Sequence, residues 1–250
     1  MSFLCAIATL GELLYDYDVN IIQKNVSVVN IVSVVNIELG GCMRNREEQQ
    51  RSYHHGDLRN ALIRAGLELL SEGGAAALEL RKVARKAGVS HAAPYRHFAD
   101  KQALIAAINE EGYYRLAESI KSARAEEPDD DIFAQLLAIA LAYIHFAIDN
   151  PWLMREMFSG LTVEREAYPG LYEASKLVFR QYAEVIMRGQ QQGNIIQGEV
   201  GGLAGVLWSL LHGVAMLIIE NQMHPYVDEP EKIEQMVLMS IQSLYRGIGR

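Results

Sequence analysis

Residues 80–98 read LRKVARKAGVSHAAPYRHF, which is the pattern of two short helices joined by a tight turn. In the first helix, Leu80, Val83 and Ala84 recur at the spacing of one helical face, so this face is expected to be buried. Gly88 follows the helix and can adopt the left-handed conformation that ends it. The stretch therefore predicts a helix-turn-helix.

The second helix is predicted to run from His91 to about Phe98, with the ring of Phe98 returning to the core. Ser90 can cap this helix through its hydroxyl. The positions expected to face outward are His91, Ala92, Ala93, Tyr95, Arg96 and His97. A helix of this kind fits the major groove of DNA, which is about 12 Å wide. The segment therefore predicts double-stranded DNA as a partner.

The distribution of charge divides the chain into three parts. Residues 44–101 hold 11 Lys and Arg against 7 Asp and Glu, whereas residues 102–250 hold 11 against 20. Residues 1–43 hold one Lys against four acidic residues. A basic segment beside a larger acidic and apolar one suggests that only the basic segment contacts a polyanion. Taken alone, the basic residues around Arg81 could equally form an ordinary solvated helix face.

From Asp57 onward, apolar residues recur at helical spacing, and Gly, Pro and polar clusters separate the helices. The first helix is predicted to end at Gly73 and Gly74. The later helices are predicted at about 80–87, 91–98, 101–125, 132–149, 151–158, 168–192, 200–222 and 230–247. The expected fold is all-α, with a three-helix helix-turn-helix domain at residues 44–101 and a larger helical ligand-binding and dimerisation domain at residues 102–250.

The composition excludes several classes of site. The two cysteines, Cys5 and Cys42, cannot form a disulfide framework or complete a structural zinc site, so a reduced, cytoplasmic protein is expected. The longest apolar run, residues 203–219, is short for a membrane span and favours a buried helix. The sequence has no nucleophile–histidine–acid spacing, metal-ligand set or phosphate-binding loop, so we expect no cofactor, no metal and no catalytic residues.

Residues 88–107, GVSHAAPYRHFADKQALIAA, resemble the DNA-binding domain of the TetR family of bacterial repressors. Residues 53–58 (YHHGDL) and 208–213 (WSLLHG) resemble its subgroup named for a Trp-His-Gly (WHG) C-terminal domain. The resemblance implies that the N-terminal helices bind DNA, and that the other helices bind a small lipophilic effector and form a homodimer. It also implies a transcriptional repressor that the effector releases from a two-fold operator.

Carried over by position, the resemblance assigns DNA contacts to individual side chains. Those implied to face bases are Arg81, His91, Ala92, Ala93 and Arg96. Those implied to hold phosphates are Tyr95, His97 and Lys101. Ser90, at the start of the same helix, is also assigned to the DNA-binding residues. The chain departs from the family at Glu79, where Ser or Thr is usual, and at Pro94, where an aliphatic or aromatic residue is common. A carboxylate repels phosphate, and proline lacks a backbone donor.

The aromatic and methionine side chains of residues 102–250 are expected to form a core and to line an effector pocket. The candidate pocket residues are Phe146, Trp152, Met157, Phe179, Trp208 and His212. His212 could also be a hydrogen-bonded core residue. The helices at 200–222 and 230–247 carry more apolar side chains than packing within one subunit can cover. This excess predicts a four-helix dimer interface. A charge at Leu238 or Ile241 is then expected to give monomers.

The sequence leaves other functions open. The chain could be an all-α small-molecule-binding protein or an enzyme without DNA binding, or a protein-interaction module that has lost DNA binding. A salt-dependent shift of promoter DNA separates the first interpretation from these alternatives.

Residues 1–43 are predicted to be a non-native or disordered extension, with translation starting at Met43. The hexapeptide VSVVNI occurs twice, at 26–31 and 32–37, and residues 40–41 (GG) can be encoded as a ribosome-binding sequence before the Met43 codon. The repeat would then be operator DNA upstream of the gene, although a real N-terminal strand or helix is the alternative. Mass spectrometry of the natural N-terminus decides between them. Basic residues from Arg44 to His55 are expected to form an N-terminal arm or a polar tail.

Overall fold

The computed structural model describes residues 46–159, 167–224, 227 and 229–249, with side chains from residue 58 onward. These residues form eight α-helices and no strand, which confirms the all-α prediction. The elements are α1 (Arg46–Ala77), α2 (Leu80–Lys86), a 3-10 turn (Pro94–Arg96), α3 (Lys101–Ala125), α4 (Ile132–Asp149), α5 (Pro151–Met157), α6 (Pro169–Gln192), α7 (Val200–Ile219) and α8 (Pro230–Ile248). The predicted extension at residues 1–43 lies outside the described residues.

Acidic side chains fix the first turns of three helices. Asp100 accepts a hydrogen bond from the Ala103 amide at 2.8 Å at the start of α3, and Asp131 accepts one from the Ala134 amide at 2.9 Å at the start of α4. Glu199 accepts from the amides of the first turn of α7. A side-chain acceptor satisfies amides that the helix itself leaves unpaired. The predicted bounds of α3 and α4 agree with the structure.

Helix α1 is longer than predicted, because its backbone is helical from Arg46 rather than from Asp57. The prediction of a separate N-terminal arm is therefore wrong for residues 46–55, and Arg44 lies outside the described residues. The helix is interrupted where predicted. Gly74 has φ +66°, a left-handed conformation that side chains with a Cβ rarely adopt.

The body is built around α3, which packs along α6 and α4. Its buried face includes Leu104, Ile108, Leu116 and Ile120, each with no exposed surface. The short helix α5 lies at a junction, since it contacts both α1 and α3. The described arrangement therefore joins the helix-turn-helix segment to the body through α3 and α5.

Two helices, α4 and α7, are long and apolar enough to cross a membrane, but they differ in burial. In α4, 61% of the residues are buried, whereas only 22% of an 18-residue stretch of α7 is buried. The prediction that the apolar run at 203–219 is a buried helix therefore holds for one face only. The buried residues of α7 are Gly201, Ala204, Leu207, Leu211 and Ala215. Its outer face exposes Val206 and Leu217, and α8 exposes Met239.

Candidate nucleic-acid interface and interior site

The predicted turn after α2 is present. Leu80, Val83 and Ala84 are buried on one face of α2, as their spacing predicts. Gly88 has φ +70°, and the amide of Val89 donates to the carbonyl of Ala84 at 2.9 Å, which closes the turn. The first half of the helix-turn-helix prediction is confirmed.

The second half requires a correction, because residues 91–98 do not form an α-helix. The chain makes turns and then a 3-10 turn at Pro94–Arg96. Pro94 has no amide hydrogen, and its ring would clash with the carbonyl of Ser90 in an α-helix. Instead, the Ala93 amide donates to Ser90 at 3.0 Å and the His97 amide donates to Pro94 at 2.9 Å. The predicted capping role of Ser90 is also wrong. The residue that precedes the 3-10 turn is Ala93, and no side chain caps the turn.

The 3-10 turn still places the predicted DNA-contacting side chains at the surface. Pro94 and Phe98 are buried and anchor the segment, while 55% of Tyr95 is exposed between them. The other exposed candidates are Arg81, Ser90, His91, Ala92, Arg96 and Lys101, whereas Ala93 and His97 are half-buried. The segment therefore presents a compact, largely exposed polar surface in place of a full turn of α-helix.

Ion pairs moderate the charge on this surface. Glu79 precedes α2 but does not cap it; its carboxylate instead lies 2.7 Å from the ammonium of Lys82. Hydrogen bonding to Lys82 holds the pKa of the Glu79 carboxyl below its ordinary value. Lys86 is paired with Glu72 at 2.5 Å and with Glu68 at 3.2 Å. The departure at Glu79 therefore places a paired carboxylate, rather than a bare one, beside the predicted DNA-contacting surface.

The start of α3 is tied to the end of α1. The ammonium of Lys101 donates to the carbonyl of Ala75 at 2.9 Å. Because this carbonyl takes one of three donors, the ammonium retains capacity for a phosphate. Lys101 therefore helps to fix the start of α3 against the end of α1, in addition to any contact that it makes with DNA.

A second contact at the junction involves Trp152, which the sequence places in the effector pocket. Its ring lies against Gly74, where a Cβ would be 3.0 Å from ring carbons, and 43% of the residue is exposed. The guanidinium of Arg155 covers the ring at 4.8 Å and lies 2.5 Å from the carboxylate of Glu220. Trp152 therefore belongs to the contact between α1 and α5, and its assignment to an effector pocket stays a prediction.

This contact gives a prediction with an internal control. Gly74 and Gly88 both have positive φ, but a Cβ at Gly88 meets no atom within 4 Å. Gly88→Ala is expected to lower the free energy of unfolding by about 1–2 kcal/mol through backbone strain alone. Gly74→Ala is expected to cost a further ~1–3 kcal/mol, because the Trp152 ring must shift and because φ +66° with ψ −167° is a combination that essentially only glycine adopts. Urea unfolding of the two variants measures the difference, and equal losses would contradict a tight contact at Trp152.

Inside the body, aromatic side chains from four elements meet. We call Tyr113, Tyr143, Phe158, Trp208 and His212 the interior cluster. The Tyr143 hydroxyl lies 3.0 Å from Nδ1 of His212, and the ring of Trp208 stacks on His212 with centroids 5.4 Å apart. Phe158 lies 4.4 Å from the His212 ring and meets Tyr113 edge-on at 5.8 Å.

The structure groups only some of the predicted pocket residues. Trp208 and His212 lie in the cluster, and Met157 adjoins it, because its carbonyl accepts a hydrogen bond from the Tyr113 hydroxyl at 3.3 Å. Phe179 lies beside Tyr182, with ring centroids 6.4 Å apart, and Phe146 is buried one turn beyond Tyr143 on α4. The sequence did not assign Tyr113, Tyr143 or Phe158 to the site. For Tyr113, the only available signal was an aromatic residue on a long amphipathic helix.

The polar groups of this region are uncharged near neutral pH. Burial lowers the pKa of His212 to about 4, because the imidazolium would lose its hydration. Burial also raises the pKa of the Tyr143 and Tyr182 phenols well above 10. The Tyr182 hydroxyl is buried and has no hydrogen-bond partner among the residues that the structure describes. The region can therefore exchange hydrogen bonds without contributing a formal charge.

Two segments of the chain match known families. Residues 62–108 match the bacterial regulatory proteins of the tetR family, and residues 136–240 match the tetracyclin repressor-like C-terminal domain. Over 90 residues the chain is 31% identical to HTH-type transcriptional regulators of Mycobacterium bovis and Mycobacterium tuberculosis. This segment is 36% of the chain and 38% of each relative, so the chain matches well under half the length of these curated relatives.

Solved structures extend the likeness over most of the described chain. A protein of unknown function from Rhodococcus sp. RHA1 superposes with a TM-score of 0.70 at 31% identity, over 79% of this chain and 98% of that one. The regulator FadR from Bacillus subtilis, solved with stearoyl-CoA, gives a TM-score of 0.62 at 17% identity, over 75% of this chain and 98% of that one, and shows the fold alone. The more specific resemblance to the Trp-His-Gly subgroup stays a prediction. With a helix-turn-helix followed by a repressor-like helical body, the chain belongs to the TetR family of bacterial regulatory proteins.

Proposed function

We propose that this transcriptional regulator is a cytoplasmic repressor, not an enzyme, which binds a two-fold operator as a homodimer and is released by a small lipophilic effector. Residues 44–101 form the DNA-binding part and residues 102–250 the effector-binding and dimerisation part. The observation that carries the proposal is the exposed polar surface at residues 90–96, anchored by buried Pro94 and Phe98.

The size of the DNA-contacting surface favours a dimer. A good base contact discriminates by roughly 1–3 kcal/mol, and one 3-10 turn offers few such contacts. Arg81 and Arg96 are the long, exposed side chains able to reach base edges. Two copies related by a two-fold axis would double the number of contacts and match the symmetry of an operator.

The outer face of α7 supports a second copy of the chain as the partner. Val206 and Leu217 are 53% and 44% exposed, and no atom lies within 4 Å of a Cβ placed at Gly213 on the same face. A glycine inside a helix lowers stability by about 1 kcal/mol relative to alanine. No close contact among the described residues requires glycine at this position, whereas the close approach of a helix from a second copy would require it. A groove lined by Val206 and Leu210 continues this apolar face onto Met239 of α8.

Effector control is supported by the position of α5. Its last residue, Met157, adjoins the interior cluster, whereas Trp152 at its start lies against Gly74 at the end of α1. Arg155 links the same helix to the carbonyl of Ile219 at the end of α7 at 2.8 Å. An effector that binds one arrangement of this region more tightly would shift the spacing of the two DNA-contacting surfaces.

DNA binding is tested by removing single contacts from the exposed surface. Tyr95→Ala is expected to weaken binding to every DNA sequence by about tenfold and to reduce the salt dependence, because a phosphate contact is lost in each subunit. Lys101→Ala should act in the same direction. Arg81→Ala should instead relax the preference for the operator over unrelated DNA. Fluorescence anisotropy with labelled DNA at several salt concentrations measures all three effects.

Lys121→Ala is the matched control, because Lys121 lies on the same helix as Lys101 but farther along it, and is exposed beside Glu118. It should bind DNA as the parent does. Because Lys101 also donates a hydrogen bond to the Ala75 carbonyl, its replacement could act through the structure of the junction. The result for Tyr95 is therefore the decisive one. If Tyr95→Ala and Lys101→Ala bind an operator with the parent affinity, the chain does not use this surface on DNA.

A further inference from the structure

We propose that the effector is an uncharged molecule with an aromatic or similarly flat apolar body and one hydrogen-bonding group, such as a ketone. In this proposal Tyr182 donates to that group, and the Tyr143–His212 pair lies beside it. The inference rests on the proposed function of an effector-released regulator and specifies the chemistry of the ligand.

The first step concerns the hydrogen-bonding capacity of the core. Tyr182 has no exposed surface, and its hydroxyl has no hydrogen-bond partner within the described part of the chain. A buried unpaired hydroxyl costs about 1–3 kcal/mol, so it calls for a specific explanation. Tyr182 lies on α6, which packs against α4 and α7, the helices that carry Tyr143 and His212. An acceptor atom on a ligand in this region would satisfy the Tyr182 hydroxyl.

The second step concerns the neighbouring pair. The Tyr143 hydroxyl and Nδ1 of His212 already satisfy each other at 3.0 Å. Because these two groups already have each other as partners, the pair leaves the Tyr182 hydroxyl as the donor without a partner among the described residues.

The third step concerns charge. The interior cluster and Tyr182 consist of aromatic residues whose ionisable groups are neutral near pH 7. The aromatic residues named here offer no cation to a ligand carboxylate and no carboxylate to a ligand ammonium, so either ion would lose hydration without compensation from them. A neutral acceptor loses less hydration free energy on burial than an ion does, and one good hydrogen bond offsets that loss. The region therefore selects against both signs of charge.

The fourth step concerns shape. Phe158, Trp208 and His212 present ring faces and edges to one another at centroid distances of 4.4 to 6.0 Å. Aromatic rings interact at such distances in offset or edge-to-face arrangements, so a flat ligand can replace or extend these contacts. Flat apolar molecules are accordingly favoured over compact branched ones.

The test uses three naphthalene compounds that differ only in the head group: 2-acetylnaphthalene, 2-naphthoate and 2-naphthylmethylamine. Calorimetry on the full chain at pH 7.5 is expected to show the ketone binding at least about tenfold more tightly than either charged compound, the equivalent of one hydrogen bond or unpaired charge. Equal or tighter binding of the naphthoate or the amine, or no binding of the ketone, would overturn the proposal.

A single-atom variant tests the role assigned to Tyr182. Tyr182→Phe is expected to weaken the ketone about tenfold while leaving the naphthoate unchanged and the unfolding temperature equal or higher. Tyr245→Phe is the control, because Tyr245 lies on α8 against Phe133 and should leave ketone binding unaltered. Unchanged ketone affinity in Tyr182→Phe would overturn the assignment. Operator binding is measured in parallel: if it is intact and the ketone prediction fails, only this inference falls, whereas absent operator binding rejects the proposed function itself.

Discussion

A variant carrying both Val206→Glu and Met239→Glu is expected to be a folded monomer that binds the operator at least about 100-fold more weakly than the parent. Both side chains are exposed in the single chain, at 53% and 66%, and both line the same groove. The two-fold axis would place four carboxylates in one interface, where they lose hydration and repel one another. The loss follows because two linked half-site contacts bind far more tightly than one.

Analytical ultracentrifugation measures the assembly, and anisotropy with operator DNA measures binding. The control is Tyr114→Glu on α3, where a 45% exposed aromatic residue lies outside this face and its replacement should leave the dimer intact. The variants expected from sequence are less suitable. Ile241 has no exposed surface and Leu238 is half-buried, so a charge at Ile241 would unfold the subunit itself. A double variant that still sediments as a dimer would rule out this face as the interface.

Phe98→Ala is expected to lower the free energy of unfolding by about 3–5 kcal/mol and to abolish measurable operator binding while the dimer persists. Only 2% of Phe98 is exposed, and it follows directly on the DNA-contacting segment. The guanidinium of Arg59 on α1 lies 5.8 Å above its ring, so the side chain ties the segment to α1. Without the ring, residues 91–97 lose one of their two buried anchors.

The comparison with Tyr95→Ala separates anchoring from contact. Tyr95 is exposed in the same segment, so its removal should weaken DNA binding with little change in stability. Chemical unfolding, sedimentation and anisotropy together distinguish the two variants. If Phe98→Ala unfolds like the parent, or if it also dissociates into monomers, the segment is not anchored in the way the structure indicates.

Much of the helical arrangement could be predicted because local chemistry determines it. Asp100 and Asp131 are caps whose position in the sequence marks the start of α3 and α4, and Gly88 marks a left-handed turn. The spacing of Leu80 and Val83 identifies the buried face of α2 without reference to the rest of the chain. These signals act within a few residues, so the sequence alone carries them.

The features that the sequence did not predict depend on competition between local signals or on tertiary contacts. Pro94 is compatible with the first turn of a helix, but at this distance from Ser90 it forces a 3-10 turn instead. Trp152 looks like any other core aromatic in sequence, and only the packing of α5 on α1 reveals its contact with Gly74. The Tyr143–His212 bond joins residues 69 positions apart, a separation that no spacing rule covers.

The contact between Trp152 and Gly74 limits how DNA-binding segments can be exchanged among relatives. A chimera that keeps this body but takes residues 46–101 from another regulator must supply a glycine at position 74, because a Cβ there meets the indole at 3.0 Å. The indole cannot easily retreat, since Arg155 covers it and is itself held by Glu220. A compatible graft therefore has to preserve a glycine at position 74 facing the indole at position 152, however similar the two parents are elsewhere.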